Sequence, residues 1–525
     1  MKKIIFIMVT MLTCFTAQCI GQEMILGGEL SNSAATNIAD IDSSISKAAK
    51  TGINTVLVPA QWDLIEPTEG TFDFSLIDET INIARKNNIK VIFLWFGAWK
   101  NSMSCYAPMW FKEDTKRFPR AITDKGKKME IASAFSENVF QADNTAFTSL
   151  IRHIKKIDPQ KETVIMIQVE NEIGMLESAR DYSEIANKEY SKGIWRKELN
   201  QIGFHTEDKL YEDEAFQAIY YAKYVERLAK NAKQIHNIPL YINAAMNSRG
   251  RKPGEYPSAG PLAHLSKIWK AFAPSIDMMS PDIYDKGFKD WAQKYDFKNN
   301  RLFIPESKCC ANSGVRALYV FGEHNALGYS TFSIDTAEKE AIENLQGSFS
   351  LLRQLSPIMK HYNKNNIHGV LFDKEDYQQI IKDDNITITC RHYFTLPWDK
   401  RATNGQEWQE GGGIIIKLAK NDYLIAGNGI VVSFQNNDEI QQNKEERLGE
   451  DGFIINGRDD DSSRKNSSQF NGKRSGIGYV DEVTIKADGK IEYLRRLNGD
   501  EDHQGRHARI SVGEWKILHI KLYEY

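Results

Sequence analysis

Between residues 23 and 335, short apolar runs alternate with stretches whose apolar positions return every three or four residues. The runs are Met24–Gly27, Thr55–Pro59, Val91–Phe96, Thr163–Val169, Pro239–Asn243, Ile276–Ile283, Leu302–Pro305 and Gly328–Ser333. Between them Phe147, Leu150, Ile151 and Ile154 share one helical face, with Asn144 as its candidate N-cap. Ser75 and Asp78 have capping-box spacing ahead of Ile77, Ile81 and Ala84, and Phe216, Ile219, Tyr220, Leu228 and Ile235 mark a longer helix. Strands alternating with helices predict a parallel sheet covered by helices. Eight such units favour a closed (β/α)8 TIM barrel over an open doubly wound sheet. There is no glycine-rich strand-to-helix loop of the kind that binds dinucleotides.

After a helical stretch near Thr336–Ile358 the pattern changes. Short strand signals follow at Ile386–Thr389, Gly413–Leu418, Tyr423–Ala426, Ile430–Phe434, Val483–Ile485 and Trp515–Leu522. Polar, turn-rich stretches separate them, notably Gln435–Gly452 and Gly457–Gly476. This predicts a smaller all-β, sandwich-like domain. The run Asp459-Asp460-Asp461 lacks the spaced ligands and closing Glu of a calcium loop and reads as solvated. The expected organisation is an export signal over 1–21, a catalytic barrel over 22–360 and a β-rich domain over 361–525.

The N-terminus changes the picture. Lys2 and Lys3 precede an apolar run from Ile4 to Leu12, and small residues follow before Gly21. That is the layout of a secretory signal, and the run is far below the ~20 apolar residues of a spanning helix. Cleavage after Gly21 is the first reading. Lipidation at Cys19 ranks second, because Gln18 precedes it. The expected address is the periplasm, the outer membrane or the exterior. Cys105, Cys309, Cys310 and Cys390 would then remain, too few for a disulfide framework in a chain of this length. Lys and Arg total 67 against 70 Asp and Glu, a net charge of −3, so no global field recruits nucleic acid.

The most informative stretch is Gln168-Val169-Glu170-Asn171-Glu172-Ile173-Gly174, directly after an apolar strand signal. Strand alternation sends Ile165, Ile167 and Val169 toward the helices and Gln168, Glu170 and Glu172 into the barrel. A second glutamate, Glu306, ends Arg301–Glu306, alternating with Leu302 and Ile304. Catalytic groups of barrel enzymes sit at the C-terminal ends of the strands. Two carboxyls there are the requirement of glycoside hydrolysis, with retention at a separation of about 5–5.5 Å and inversion at about 6.5–9.5 Å. A structural carboxylate in an internal ion pair is the competing reading of either residue. Zinc-spaced histidines, a phosphate loop and a G-x-S-x-G elbow are all missing from the sequence, and no metal or cofactor is expected.

Gln168–Gly174 resembles the Q-x-E-N-E-Y-G motif of glycoside hydrolase family 35, the β-galactosidases. Leu57–Pro59, Trp62–Pro67, Glu69–Phe74 and Ala107–Trp110 agree with it, and the resemblance spans roughly residues 24–335. It implies a retaining exo-β-galactosidase of the bacterial branch with a C-terminal β domain, acting on plant-wall glycans. Glu172 then matches the acid/base, Glu306 the nucleophile, Asn171 the reader of the sugar 2-hydroxyl, and Tyr284 the tyrosine beside the nucleophile. Glu170 is expected to support the site rather than react. Ile173 replaces the motif's Tyr, and Asn101 stands where a sugar-binding Glu often does. These departures keep a β-glucoside or α-L-arabinopyranoside open as substrate. Trp95, Trp99, Glu29 and Asn32 are further candidate sugar contacts near strand ends. Trp398, Trp408 and Trp515 are expected to pack internally or between domains. A noncatalytic glycan-binding protein is the rival from another class.

Overall fold

The computed structural model describes residues 23–247, 250–403, 408–442 and 472–525. The signal-like segment 1–21, the Asp459–Asp461 run and most of the two polar stretches of the tail lie outside the described residues. Strands β1 Ile25–Glu29, β2 Thr55–Gln61, β3 Lys90–Phe96, β4 Val164–Gln168, β5 Leu240–Ala245, β6 Met278–Ile283, β7 and β8 Gly328–Thr331 each fall on one of the apolar runs. β7 comes in two pieces, Phe303–Ile304 and Glu306–Ser307. The crossovers carry helices α1 Ile38–Ala49, α2 Ser75–Lys86, α3 Glu137–Ile157, α4 Lys209–Ile235, α5 Ser266–Phe272, α6 Phe288–Tyr295 and α7 Ser313–His324, and α8 Lys339–Met359 follows β8.

Neighbouring strands pair in parallel from β1 through β6, and β8 returns to β1. The ring closes across the break in β7. Its first piece pairs with β8 and its second with β6, in register Glu306 to Asp282. Pro305 sits at the break, where a residue without an N–H costs the ladder no hydrogen bond. Ile25, Leu57, Ile92, Leu94, Phe96, Met166, Tyr241 and Phe303 fill the interior, so the barrel is a packed core rather than a pore. Val58, Phe93, Trp95, Ile167, Val169, Leu302 and Ile304 face the helices. Each large apolar side chain buried this way stabilises the fold by roughly 1.5–3 kcal/mol.

Local details depart from the sequence reading. Ser136 caps α3, accepting from the Val139 N–H, and Asn144 lies two turns inside the helix. Ser75 is the first residue of α2 rather than its cap, and its N–H donates to Asp73. β4 carries a bulge: Val91 pairs with Val164 but Ile92 with Met166. The extra residue, Ile165, therefore packs toward the barrel interior instead of the helices. In β7 alternation stops at Pro305, so Leu302 and Ile304 face outward while Glu306 turns to the mouth.

The tail folds as two sheets. A six-stranded sheet has the order β9 Ile367–Phe372, β12 Gly411–Ala419, β13 Asp422–Asn428, β18 Lys516–Glu524, β15 Ser475–Ile485 and β16 Ile491–Leu497. A four-stranded sheet has the order β10 Gln378–Asp383, β11 Ile386–His392, β14 Ile430–Asn436 and β17 Ala508–Ile510. Ile388, Val432, Ile415, Ile425 and Leu518 pack between them, making a sandwich. The outer face of the larger sheet joins the barrel core through Ile414, Ile416, Leu424 and Ile517. Trp515 enters between α7 and α8, where Gly314 and Gly347 leave no room for a Cβ against its ring. Arg316 of α7 holds Glu410 through two bonds of 2.7 and 2.6 Å. Trp408 stacks on His392. Trp398 departs from the expectation of internal packing: it is 45% exposed, with its ring against His503.

Candidate active site

β4 ends at Gln168, and the motif beyond it is not extended strand. Glu170 and Glu172 both take left-handed backbone conformations, with φ of 58° and 45°. Such conformations persist only where the surrounding contacts fix the backbone. Glu172 turns into the mouth, whereas Glu170 turns away from it toward α3. The expectation that both share the interior face therefore fails at Glu170.

Glu172 is anchored from two sides. Its N–H donates to Asn243 Oδ1 of β5 at 3.0 Å, and Asn101 Nδ2 donates to its Oε2. Asn243 Nδ2 in turn donates to Asp282 Oδ2 of β6 at 2.6 Å. Asn101 sits in a tight turn in which the Lys100 N–H donates to Met103 O and the Met103 N–H to Lys100 O. Asn101 and Ser102 both have positive φ there, as a type I′ turn requires and as Asn accepts readily. The Asn101 N–H also donates to Asn171 O, tying the β3 loop to the β4 end.

Glu306 faces Glu172 across the mouth, and the Tyr284 hydroxyl donates to its Oε1. Burial raises Glu172 to about 7, and the charge of Glu306 adds to this. The Lys100 cation and a hydrogen bond with Asp282 oppose the rise. Burial also lifts Glu29 and Asp282 far above the ordinary carboxyl range, again with Glu306 as the next cause. Each of these two sits against another carboxyl of the mouth: Glu29 hydrogen-bonds to Glu306, and Asp282 to Glu172. Lys100 is buried, with Nζ 4.7 Å from the Phe96 ring centre.

Asn171 is fully buried, and neither atom of its amide has a protein partner. An unmet buried amide costs roughly 1–3 kcal/mol, which a polar ligand group would relieve. Asn32 lies in the loop after β1 with an unpartnered Oδ1, while its carbonyl accepts from Gln61.

Two sugar-contact candidates do not belong to the mouth. Trp95 points outward between barrel and helices, and its Nε1 donates to Asp143 of α3 at 2.9 Å. Trp99 is fully buried edge-on against Tyr221 and Tyr224 of α4. Strand parity accounts for Trp95, since Leu94 and Phe96 occupy the inward positions. Ile173, the motif's departure, is buried in the outer core and does not line the site. The sequence reading missed Lys100, Asn243, Asp282 and Asp143. Asn243 and Asp282 carried the same signal as Glu306, a polar residue closing an apolar strand; Lys100 carried none.

Residues 34–207 match the family model Glyco_hydro_42, described as Beta-galactosidase. Residues 345–509 match one described as a Domain of unknown function, DUF5597. The matched family is 42, a different family from the 35 that the motif resembles, so the resemblance holds only at the level of β-galactosidases. No curated protein matches the chain. Among solved structures, the polyextremophilic β-galactosidase of the Antarctic haloarchaeon Halorubrum lacusprofundi is 13% identical, with a TM-score of 0.46 over 63% of this chain and 58% of that one. The β-galactosidase of Bacillus circulans sp. alkalophilus is 15% identical, with a TM-score of 0.48 over 64% and 56%. That of the psychrophilic Marinomonas ef1 is 14% identical, with a TM-score of 0.46 over 65% and 61%. The chain thus spans less than two thirds of the length of each. Residues 34–207 carry a glycoside hydrolase domain of the β-galactosidase type.

Proposed function

We propose that the chain is a retaining, exo-acting β-galactosidase that removes terminal β-galactose from plant-wall-type oligosaccharides or polysaccharides. Glu306 attacks the anomeric carbon as Glu172 protonates the departing oxygen. Glu172 then deprotonates the water that releases the sugar. The observation that carries this reading is the asymmetry between the two mouth carboxyls. Burial, then Glu306, holds Glu172 protonated up to about 7, while Glu306 receives the Tyr284 hydroxyl. Pairs of carboxyls whose environments separate their roles are the mark of acid and nucleophile assignments. Asn171, buried with an unmet amide, supports a contact to the sugar 2-hydroxyl. Galactose itself rests on the description of the matched model. Residues 1–21 are read as an export signal, which the mass of the mature N-terminus would check.

The test is turnover of an aryl β-galactoside by wild type and by Glu306→Ala, with and without azide. Expected are activity in the first, its loss in the second, and rescue yielding an α-galactosyl azide. A β-configured azide would remove Glu306 as nucleophile. Asn101, an amide rather than a carboxylate on Glu172, favours a second reading in which the sugar is a β-glucoside or α-L-arabinopyranoside. Faster turnover of either aryl glycoside than of the galactoside would establish it.

A further inference from the structure

In the four-stranded sheet of the sandwich, Cys390, Val432 and Ala508 turn inward to the core. Alternation sends the residues beside them, Arg391 of β11, Val431 of β14 and Arg509 of β17, to the outer face. Register sets these three in one row, Arg391 opposite Val431 and Val431 opposite Arg509. Two strand spacings of roughly 4.8 Å place the arginines about 10 Å apart at the backbone. Among the described residues no acid forms an ion pair with either. Arg391 Nε is buried without a hydrogen-bond partner, and burial pulls the group below the usual guanidinium range with no acid to oppose it. The Arg509 guanidinium donates to the Asp500 carbonyl and lies 3.3 Å from His507 Nε2. Acids of the flanking loops are committed elsewhere, Asp399 to Arg401 at 2.8 Å and Glu501 to Arg495 at 2.9 Å. The buried Asp502 pairs with neither arginine. His507 registers the excess of positive charge: burial, then Arg509, His503, Arg391 and Arg506, push it down to about 3.

Three rings stack beside the arginines. Trp398, His503 and His507 are parallel within 19°, with centres between 5.2 and 6.4 Å apart. The Arg509 guanidinium lies 5.7 Å from the indole centre. His507 is buried and Trp398 is 45% exposed, so the stack ends in an indole at the surface. A half-buried guanidinium without a counter-ion is costly, and its planar fork matches a carboxylate through two parallel hydrogen bonds. The indole offers a flat apolar surface to the C–H face of a sugar ring. A neutral glycan would leave the arginines unmatched, and a simple anion would not use the indole. We propose that this face of the sandwich domain binds a carboxylated sugar, a uronate residue of the polysaccharide, with Trp398 against its ring and Arg391 and Arg509 on its acid group. The site is separate from the barrel mouth and independent of the reaction there. Holding the polysaccharide at a second point raises its effective concentration at the barrel.

Calorimetry on the full chain compares tetragalacturonate with its methyl ester, which keeps the rings and removes the charge. Expected is binding of the acid about tenfold tighter than of the ester. Trp398→Ala and Arg391→Gln should each weaken the acid by about tenfold, with turnover of an aryl β-galactoside as in wild type. Trp398 is exposed, so its variant reads the site even where Arg391→Gln fails to fold. Equal binding of acid and ester, no binding of either, or an affinity that survives Trp398→Ala would overturn the proposal. Tighter binding of a sulfated tetrasaccharide or a single-stranded oligonucleotide than of tetragalacturonate would overturn it in favour of sulfate or phosphate. Because binding is read apart from turnover, this pattern in a protein that cleaves no β-galactoside would remove the proposed reaction and keep the site.

Discussion

The backbone N–H of Trp99 donates to Glu170 Oε2 at 2.8 Å, joining the β3 loop to the β4 end beneath the mouth. Burial, then the neighbouring charge of Asp143, holds Glu170 protonated, and it hydrogen-bonds to Asp143. Asp143 also accepts Trp95 Nε1 at 2.9 Å and the Tyr224 hydroxyl at 2.7 Å. Glu170 thus acts as a neutral strut: one oxygen accepts from the loop and the other donates to α3.

Glu170→Gln supplies the same donor and acceptor without charge and should keep kcat/KM within about threefold of wild type. Glu170→Ala strands the Trp99 N–H and a buried carboxyl, at roughly 1–3 kcal/mol each. It also frees the turn that presents Asn101 to Glu172. A misplacement of about 1 Å costs on the order of 100-fold in rate, which is the fall expected for the alanine variant. Equal losses in the two variants would show that the proton on Glu170 plays no part.

The basic limb of the kcat/KM profile should follow Glu172. The reactive form carries the proton, so the rate falls as pH rises through about 7. The Lys100 cation favours the ionised carboxylate and so pulls this limb down. Lys100→Met removes the charge, and the limb should move to higher pH. A pH–rate series on both proteins measures it; an unmoved or lowered limb would mean that Lys100 does not set the acid.

What the sequence made legible follows from which signals are local. The apolar runs located each barrel strand because burial on both faces dictates their composition. Glu172 and Glu306 drew notice because a buried carboxyl at or just past the end of an apolar strand is costly without a partner. The faces of Ile165, Glu170 and Glu306 were not legible: a bulge, a positive φ and a proline each reset the two-residue alternation, and none announces itself in spacing. Trp95 and Trp99 were misread as sugar contacts for a related reason, since proximity to a strand end says nothing about which side a ring takes. Strands β9, β10, β16 and β17, all at sheet edges, escaped; in β10 the reason is a half-exposed, mixed sequence, Gln378–Asp383.

Tyr284→Phe isolates the hydroxyl that donates to Glu306. A hydrogen bond to a charged group contributes roughly 1.5–3 kcal/mol. The expected fall is therefore about 10–100-fold, in kcat and kcat/KM together, with KM nearly constant because the bond orients the attack rather than binding the sugar. Steady-state kinetics on an aryl β-galactoside decides this. A loss confined to KM would place the hydroxyl on the substrate instead.

Gly97 is where the strut and the loop come closest. A Cβ built there would lie 2.2 Å from Trp95 Nε1, 2.7 Å from Asp143 Oδ1 and 2.9 Å from Glu170 Oε1. None of the three can retreat freely, because all belong to the buried hydrogen-bond set that holds α3, β3 and the β4 end together. Gly97→Ala should cost roughly 1–3 kcal/mol, the range for overpacking a filled core. It should also lower activity more than a stability loss alone explains, because the displaced groups position Trp99 and, through the following turn, Asn101. Urea unfolding and kcat/KM measured on the same preparation separate the two effects. A destabilised protein with wild-type kinetics would show that the β3 loop keeps its place without the strut.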